Sequence, residues 1–440
     1  MIVMKFGGSA LQTANRICDV VSIVRRHLNE QPVLVLSAMG TTTDDLIEAG
    51  HRAVQQKDAH LPIEKFHRDI IEQLGLPSTL IDSLFCELAS LLHRIFFCKE
   101  LTPQTYDDLL SYGERCSVRV FSAYLDKQGI SASPFDAWDV GILTSSDHTQ
   151  AEILPETYEK VPLAFQKMKC DIPVITGFIG KDQSGKITTL GRGGSDLTAS
   201  VIGRAIMANE VQLWKDVSGI LVADPRLVPD AKSLGQLSFV DAAELARFGA
   251  EVLHPTSIWP VMNMAIPVRV RSFQEPDHPG TLIESCSSQG KERVVAIAHK
   301  SHQVLAHITP LRMVNQFAFL TSVFQVFNER KLPAHVIAAT HNSVSITFEK
   351  YNSLSLLQDA LQQIATTTIE HSKSTVSLIG TQNSSPEFFE AVMHVLNSEG
   401  ITTQMISYGI SNCNITLVIN DDEVQRCVEI LHQKFFTRIH

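Results

Sequence analysis

The sequence offers no cysteine pair spaced as CxxC, and its eight cysteines (Cys18, Cys86, Cys98, Cys116, Cys170, Cys286, Cys413 and Cys427) are scattered over 440 residues. A chain of that length needs no disulfide framework, so reduced thiols in a cytoplasmic setting are expected. No run of about 18 apolar residues occurs, so no membrane partner is expected. The first residues, MIVMKFGGSA, lack the basic segment and long apolar segment of a signal peptide. Positive charge is in deficit: 37 Lys and Arg face 47 Asp and Glu, a formal net charge of −10. That argues against nucleic acid as a general partner. Histidine clusters are also missing. HKSH, His299 to His302, has ligand-like spacing but no cysteine or carboxylate group with it. It reads as a solvated loop, and no protein-held metal is expected.

What is present is apolar residue in quantity: 44% of the chain is hydrophobic and 19% charged, enough for sizeable cores. At roughly 100–200 residues per domain the length suggests two to four domains. IVMKF, PVLVLSA, IPVITGF, VQLWKDV and IPVRVRSF are short apolar runs with longer helical segments between them. Such runs fit strands buried on both faces of a parallel sheet covered by helices. Between the second and third, residues 43–126 place apolar side chains at helical spacing, as in LFCELASLLHRIFF, which predicts a helical insertion. Residues 1–275 thus read as one α/β domain. SFQEPDHPGTLIESCSSQGKE then breaks the pattern with prolines, glycines and serines, so 276–300 reads as a linker. Beyond it the order β-α-β-β-α occurs twice, over 301–370 and 371–440, which suits small antiparallel sheets with helices on one face.

Six stretches carry groups suited to chemistry. KFGGSA, Lys5 to Ala10, ends a strand in a lysine and two glycines, so backbone N–H groups can approach a phosphate beside a point charge. It is not a GxxxxGK[ST] loop, and an ordinary tight turn would look the same. SAMGTTTDDL, Ser37 to Leu46, is either a helix cap or a polar cradle for a carboxylate. In SYGERCSVRVFSAYL, Glu114 is placed at a helix start, as a helix-dipole carboxylate or as a partner for a substrate ammonium. In TLGRGGSDLTA, Ser195 or Asp196 is expected to cap a helix beginning near Leu197. Capping leaves Arg192, Gly193 and Gly194 unexplained, and an arginine fork beside free N–H groups suits a carboxylate or phosphate. LWKDVSGILVADPRLVPDAKSL delivers Asp216 and Arg226 to turns, and FGAEVLHPTSIWPV reads as a helix stopping near His254-Pro255. Several of these stretches lie at strand C-terminal ends, where open α/β sheets bind ligands. Anion-binding groups, a carboxylate for an ammonium and no covalent nucleophile point to phosphoryl transfer.

On KFGGS, SAMG, SYGER, TLGRGGSDLTA, KDVSGILVADPR and FGAEVLHP, in that order, the chain resembles the aspartokinases over nearly its whole length. The resemblance implies an amino-acid kinase fold, a mostly parallel sheet sandwiched by helices, followed by two ferredoxin-like ACT domains. It implies phosphorylation of the side-chain carboxylate of L-aspartate by Mg²⁺-ATP to 4-phospho-L-aspartate and ADP, the entry to lysine, diaminopimelate, threonine and methionine synthesis. Lys5, Arg192 and Asp196 would act in catalysis. Thr43, Glu114, Arg192, Gly193, Gly194 and Ser195 would hold aspartate, with Glu114 on its ammonium and Arg192 on its α-carboxylate. Lys5, Phe6, Gly7, Gly8, Ser9, Lys215, Asp216, Leu221, Arg226, Glu251 and Val252 would lie along the nucleotide. The second half resembles lysine-sensitive members, with Met313, Phe319, Leu320, His335, Thr340 and His341 as effector-binding positions. A monofunctional homodimer joined through its ACT domains is expected.

Departures from the family pattern set further expectations. Ala10 stands where a hydroxyl residue is common, Lys215 where threonine is frequent, and Leu221 where tyrosine is frequent. Glu251 replaces a lysine that approaches ADP phosphate, which predicts weaker ATP affinity. His335 and His341 stand where carboxylates hold the effector's ammonium groups, which predicts weak lysine inhibition or another effector. Two other readings are a kinase of the same fold with another carboxylate substrate, such as glutamate, and a non-catalytic amino-acid sensor.

Overall fold

The computed structural model describes residues 1–57, 61–249, 253–285, 293–312, 315–350, 354–381, 386–408 and 414–436. The chain begins β1 (Ile2–Phe6), α1 (Ala14–Arg26), β2 (Pro32–Leu36), α2 (Thr42–Val54), α3 (Leu61–Gln73), α4 (Asp82–Cys98) and α5 (Pro103–Lys127). It continues with β3 (Ala132–Phe135), β4 (Leu143–Thr144), α6 (Thr157–Lys167), β5 (Ile172–Thr176), β6 (Ile179–Asp182), β7 (Ile187–Thr189), α7 (Gly194–Ala205) and β8 (Glu210–Lys215). Next come β9 (Gln236–Ser238), α8 (Phe239–Phe248), α9 (Pro255–Met262), β10 (Val268–Ser272) and β11 (Thr281–Glu284). The last part is β12 (Arg293–Pro310), α10 (Gln316–Glu329), β13 (Ala334–Ala339), β14 (Val344–Glu349), α11 (Leu354–Gln362), β15 (Ala365–Thr381), α12 (Pro386–Ser398), β16 (Met405–Tyr408), β17 (Asn414–Asn420) and α13 (Val424–Phe436).

Two compact units form: Met1–Ile220, Ser233–Phe239 and Leu253–Cys286 in one, Leu221–Lys232, Val240–Val252 and Ser287–His440 in the other. The first unit holds an eight-stranded sheet in the order β3-β5-β2-β1-β8-β10-β11-β9, parallel except between β10 and β11. β1, β2 and β5 are buried at every position, as the continuous apolar runs require. Ile2, Met4 and Phe6 share one face of β1 and pack in one core with Val20 and Val24 of α1 and Leu34 and Leu36 of β2. Each such side chain contributes about 1.5–3 kcal/mol on burial. The helical insertion is α2 to α5. Helix α5 starts where Thr102 Oγ1 accepts the Thr105 N–H (3.1 Å) and Pro103 occupies the first turn.

The second unit has the repeated β-α-β-β-α order, but as a single antiparallel sheet, β13-β14-β12-β15-β17-β16. The long strands β12 and β15 run through both modules. Val294 and Ile297 pair with Gly380 and Leu378 and belong to the core of Val392, Leu396, Leu417 and Leu431. Val304 and Ile308 pair with β14 and belong to the core of Phe319, Val323 and Leu361. Residues 293–300, read as linker in the sequence, are therefore a strand that completes the second module. The earlier part of that expected linker contains β11, which hydrogen-bonds into the first sheet. HKSH is likewise in β12 rather than a loop, with His299 Nε2 3.9 Å from Asp224. The 221–232 stretch, assigned by sequence to the first domain, packs Ala223 and Val228 into the second module's core, and the Ile297 N–H donates to Val222 O (2.7 Å).

Candidate active site

Strands β5, β2, β1 and β8 are adjacent and parallel, so their C-terminal ends meet at one edge of the sheet. Lys5 lies near the end of β1 and Lys215 ends β8. Helix α7 brings Asp196 between them: Lys5 Nζ is 2.6 Å from Asp196 Oδ1 and Lys215 Nζ is 2.8 Å from Oδ2. One carboxylate thus bridges two ammonium groups. The Oδ1 contact is ionic rather than an aligned hydrogen bond. Burial pushes the Asp196 carboxyl up, but the two lysines outweigh it and hold it below the usual carboxylate range. Burial pulls Lys5 down from its ordinary value, and Asp196 resists that pull.

Glu114 is in the middle of α5, not at a helix start, so a dipole role at a terminus is ruled out. Gly113 explains the misreading. A Cβ there would sit 2.7 Å from the Ala38 Cβ, so this glycine serves close packing of α5 on the turn after β2. The approach lets the Ala38 N–H donate to Glu114 Oε1 (3.1 Å). Glu114 Oε2 is buried and has no partner among the described residues. Burial raises the Glu114 carboxyl to about 8, against the opposing pull of the Ala38 N–H and Lys5. A buried acceptor left open is costly unless something fills it.

Lys5, Glu114 and Asp196 line a cavity of 230 Å³ with Ser37, Thr43, Phe178, Gly191, Gly193, Gly194 and Ser195. That is below the roughly 300–1,000 Å³ of drug-sized sites, so it takes a small polar molecule. Helix α7 begins at Gly194 after Gly193 at φ +74°, and no side chain caps it. Neither Ser195 nor Asp196 caps, contrary to the sequence reading. A helix end without a side-chain cap is the kind of place where backbone N–H groups can meet an anion. Gly193 is required twice: its φ is left-handed, and a Cβ would meet the His254 Cβ at 2.5 Å. His254 and Pro255 start α9 rather than stopping a helix. Arg192 is exposed and has no hydrogen bond or ion pair among the described residues.

Gly8 approaches the turn after β2 so closely that a Cβ would lie 2.8 Å from Ala38 O. Gly7 and Ser9 are half-buried beside it, while Ala10 is fully buried in the core. The Phe6 side chain is also core, stacked on Trp214 at 5.8 Å. Asp216, just past β8, is exposed and has no ion pair among the described residues. Leu221 and Arg226 belong to the second unit, where Arg226 is 2.7 Å from Asp224. Glu251, Val252 and Met313 lie outside the described residues. Among the expected effector positions, Phe319 is core and Leu320 is partly buried against it. Thr340 Oγ1 meets Ser343 Oγ (2.9 Å), and His341 Nδ1 lies 3.0 Å from Gln316 Oε1. His335 Nε2 is 3.6 Å from Glu349, and burial together with Lys300 holds that imidazole below its ordinary range.

Sequence reasoning placed Ser37 in a candidate cradle but singled out neither Phe178 nor Gly191 as lining the cavity. Phe178 had a signal in its flanking glycines: it takes φ +67° in a turn closed by the Ile179 N–H on Gly177 O (2.7 Å). A larger depression of 610 Å³ around Tyr112, Arg115, Trp138 and Lys181 is not lined by Lys5, Lys215 or Asp196.

Known proteins fit this geometry. Residues 1–272 match the amino acid kinase family and residues 376–435 an ACT domain. Aspartokinase 2, chloroplastic, of Arabidopsis thaliana is 40% identical over 99% of this chain and 84% of its own length. The lysine-sensitive aspartokinase 3 of Escherichia coli is 30% identical over 99% of both chains. The structure of E. coli aspartokinase III with aspartate and ADP superposes with a TM-score of 0.85, at 28% identity, over 99% of this chain and 100% of that one. The same enzyme with lysine and aspartate gives 0.81, at 29% identity, over 99% of each chain. With a kinase-family match over residues 1–272, an ACT match near the end and relatives aligned over 99% of its length, the chain belongs to the amino acid kinase family and within it to the aspartokinases.

Proposed function

We infer that the chain transfers the γ-phosphoryl group of ATP to the side-chain carboxylate of L-aspartate, giving 4-phospho-L-aspartate and ADP. The open, buried Oε2 of Glu114 carries the reading, because it is an acceptor waiting for a cation inside an otherwise anion-binding cavity. The aspartate ammonium fills it. The α-carboxylate takes Arg192 and the uncapped end of α7, with Thr43 and Ser195 beside it. The side-chain carboxylate then faces Lys5. Lys5, Lys215 and Asp196 together carry one net positive charge. Asp196 fixes both ammonium groups, so they neutralise charge on the transferring group without reorganising. The loop at Gly7, Gly8 and Ser9 supplies backbone N–H groups to the phosphates.

Mg²⁺ fits as a companion of the nucleotide. No described group of three or more His, Cys, Asp or Glu could cage it, and Asp196 is already neutralised. Such ions are held by one or two carboxylates and substrate phosphates, and the exposed Asp216, next to Lys215 in the chain, is a carboxylate suited to that role. When bound, the ion offsets phosphate charge.

The ACT half is regulatory and dimerising in this reading. Edge strand β13 exposes Ile337, Ala338 and Ala339, an unpaired edge suited to a second copy. Lysine feedback is weakened by His335 and His341. A reducing, cytoplasmic setting is part of this reading and rests on the scattered cysteines of the sequence. Steady-state ADP release with L-aspartate and with L-glutamate tests the substrate. Dependence on aspartate alone is expected; preference for glutamate replaces the substrate, and no turnover favours a sensor.

A further inference from the structure

We propose that Asp107 is a positioning residue that locks the carboxylate-holding end of the cavity to the helix carrying Glu114. Asp107 is fully buried and takes no part in the mechanism above. It precedes Glu114 by seven residues on α5, two helical turns, so both carboxylates lie on one face. Four contacts converge on it. Thr189 Oγ1 donates to Oδ1 (2.6 Å), the Thr149 N–H is shared between Oδ1 (3.1 Å) and Oδ2 (3.0 Å), and His148 Nδ1–H donates to Oδ2 (2.8 Å).

Thr149 pays a conformational cost there: it sits at φ +73°, a region that β-branched residues avoid. The Asp107 contact is what holds it. Thr149 O in turn packs against Gly191, where an added Cβ would be only 3.3 Å away, and Gly191 is itself at φ +72°. Gly191 O accepts the Gly194 N–H (3.0 Å), closing the turn that carries Arg192 and opens α7. The Ala151 N–H donates to Thr189 O (2.9 Å), tying the same loop to β7. Asp107 therefore fixes the spacing between the ammonium acceptor on α5 and the α-carboxylate donors at Arg192 and α7. A fully satisfied buried carboxylate is suited to such a task, because any displacement leaves several polar groups unpaired.

The proposal rests on the reading that this end of the cavity holds the substrate carboxylate, and the test separates the two. In the full-length chain, Asp107→Asn should raise the aspartate KM by about tenfold while the ATP KM stays within about twofold. Adding Thr149→Gly, which accepts the left-handed conformation without strain, should recover part of the aspartate KM. A merely structural role would lower kcat through loss of folded molecules and leave both KM values alone, which overturns the proposal. If Asp107→Asn does not fold, Thr189→Val decides: it removes one donor and leaves no charge unpaired. A raised aspartate KM with constant ATP KM supports the proposal, and an unchanged one refutes it. If the unaltered chain shows no aspartate-dependent turnover, the functional reading fails and this inference falls with it.

Discussion

Replacing Glu114 by Gln perturbs one charge and little else. Gln keeps an oxygen for the Ala38 N–H and the same volume, but it offers no negative charge to an ammonium. A hydrogen bond to a charged partner contributes about 1.5–3 kcal/mol, so the aspartate KM should rise about 10- to 150-fold with the ATP KM unchanged. The pH dependence is more telling. Burial holds the Glu114 carboxyl at about 8 against an ordinary 4.5. Aspartate binding needs it ionised, so below pH 8 a proton must leave, and the wild-type aspartate KM should climb towards about tenfold per pH unit. Stability has the opposite sign. A raised carboxyl contributes fully below 4.5 and loses its contribution as pH rises to about 8, a difference of up to about 5 kcal/mol. The ligand-free wild type should therefore lose thermal stability relative to Glu114→Gln between pH 5 and 9. Initial-rate kinetics at several pH values and paired thermal melts read both effects. A pH-independent wild-type KM, or a Gln variant with unchanged aspartate KM, would refute the reasoning.

Three further outcomes follow from particular residues. Asp196→Asn removes the anion between two lysines and should lower kcat about 100-fold in folded protein; it should also abolish the stability that wild type loses as pH falls below about 4, checked by acid melts. Glu251→Lys should lower the ATP KM, and an unchanged or raised value would sink the idea that this carboxylate repels phosphate. His335→Asp with His341→Glu should increase lysine inhibition in dose–response assays, whereas potent inhibition of the wild type by micromolar lysine would contradict weakened feedback.

The sheet of the first unit was readable because strands buried on both faces are apolar, as β1, β2 and β5 are at every position, while β8 and β10 keep enough apolar residues to read as strands. Motif order also pointed to the groups that meet at the strand ends. What the sequence hid was long-range. Glycine usually marks a helix end, so Gly113 masked the continuity of α5 and put Glu114 at a terminus. Ser195 and Asp196 have the chemistry of caps, yet Asp196 is drawn to Lys5 and Lys215, which come from two different strands. The 293–300 strand follows a loop-like composition and belongs to a module completed some 80 residues later, as the pairing of Ile297 with Leu378 requires. Asp107 was invisible because its partners, Thr149 and Thr189, are 42 and 82 residues away.

The most direct measurement is β-aspartyl hydroxamate formed by purified protein from L-aspartate, Mg²⁺-ATP and hydroxylamine, with Arg192→Ala in parallel. Product that depends on aspartate and is lost in the variant is the predicted result. No product from folded wild-type protein across a wide range of ATP, or equal product from Arg192→Ala, would contradict the account.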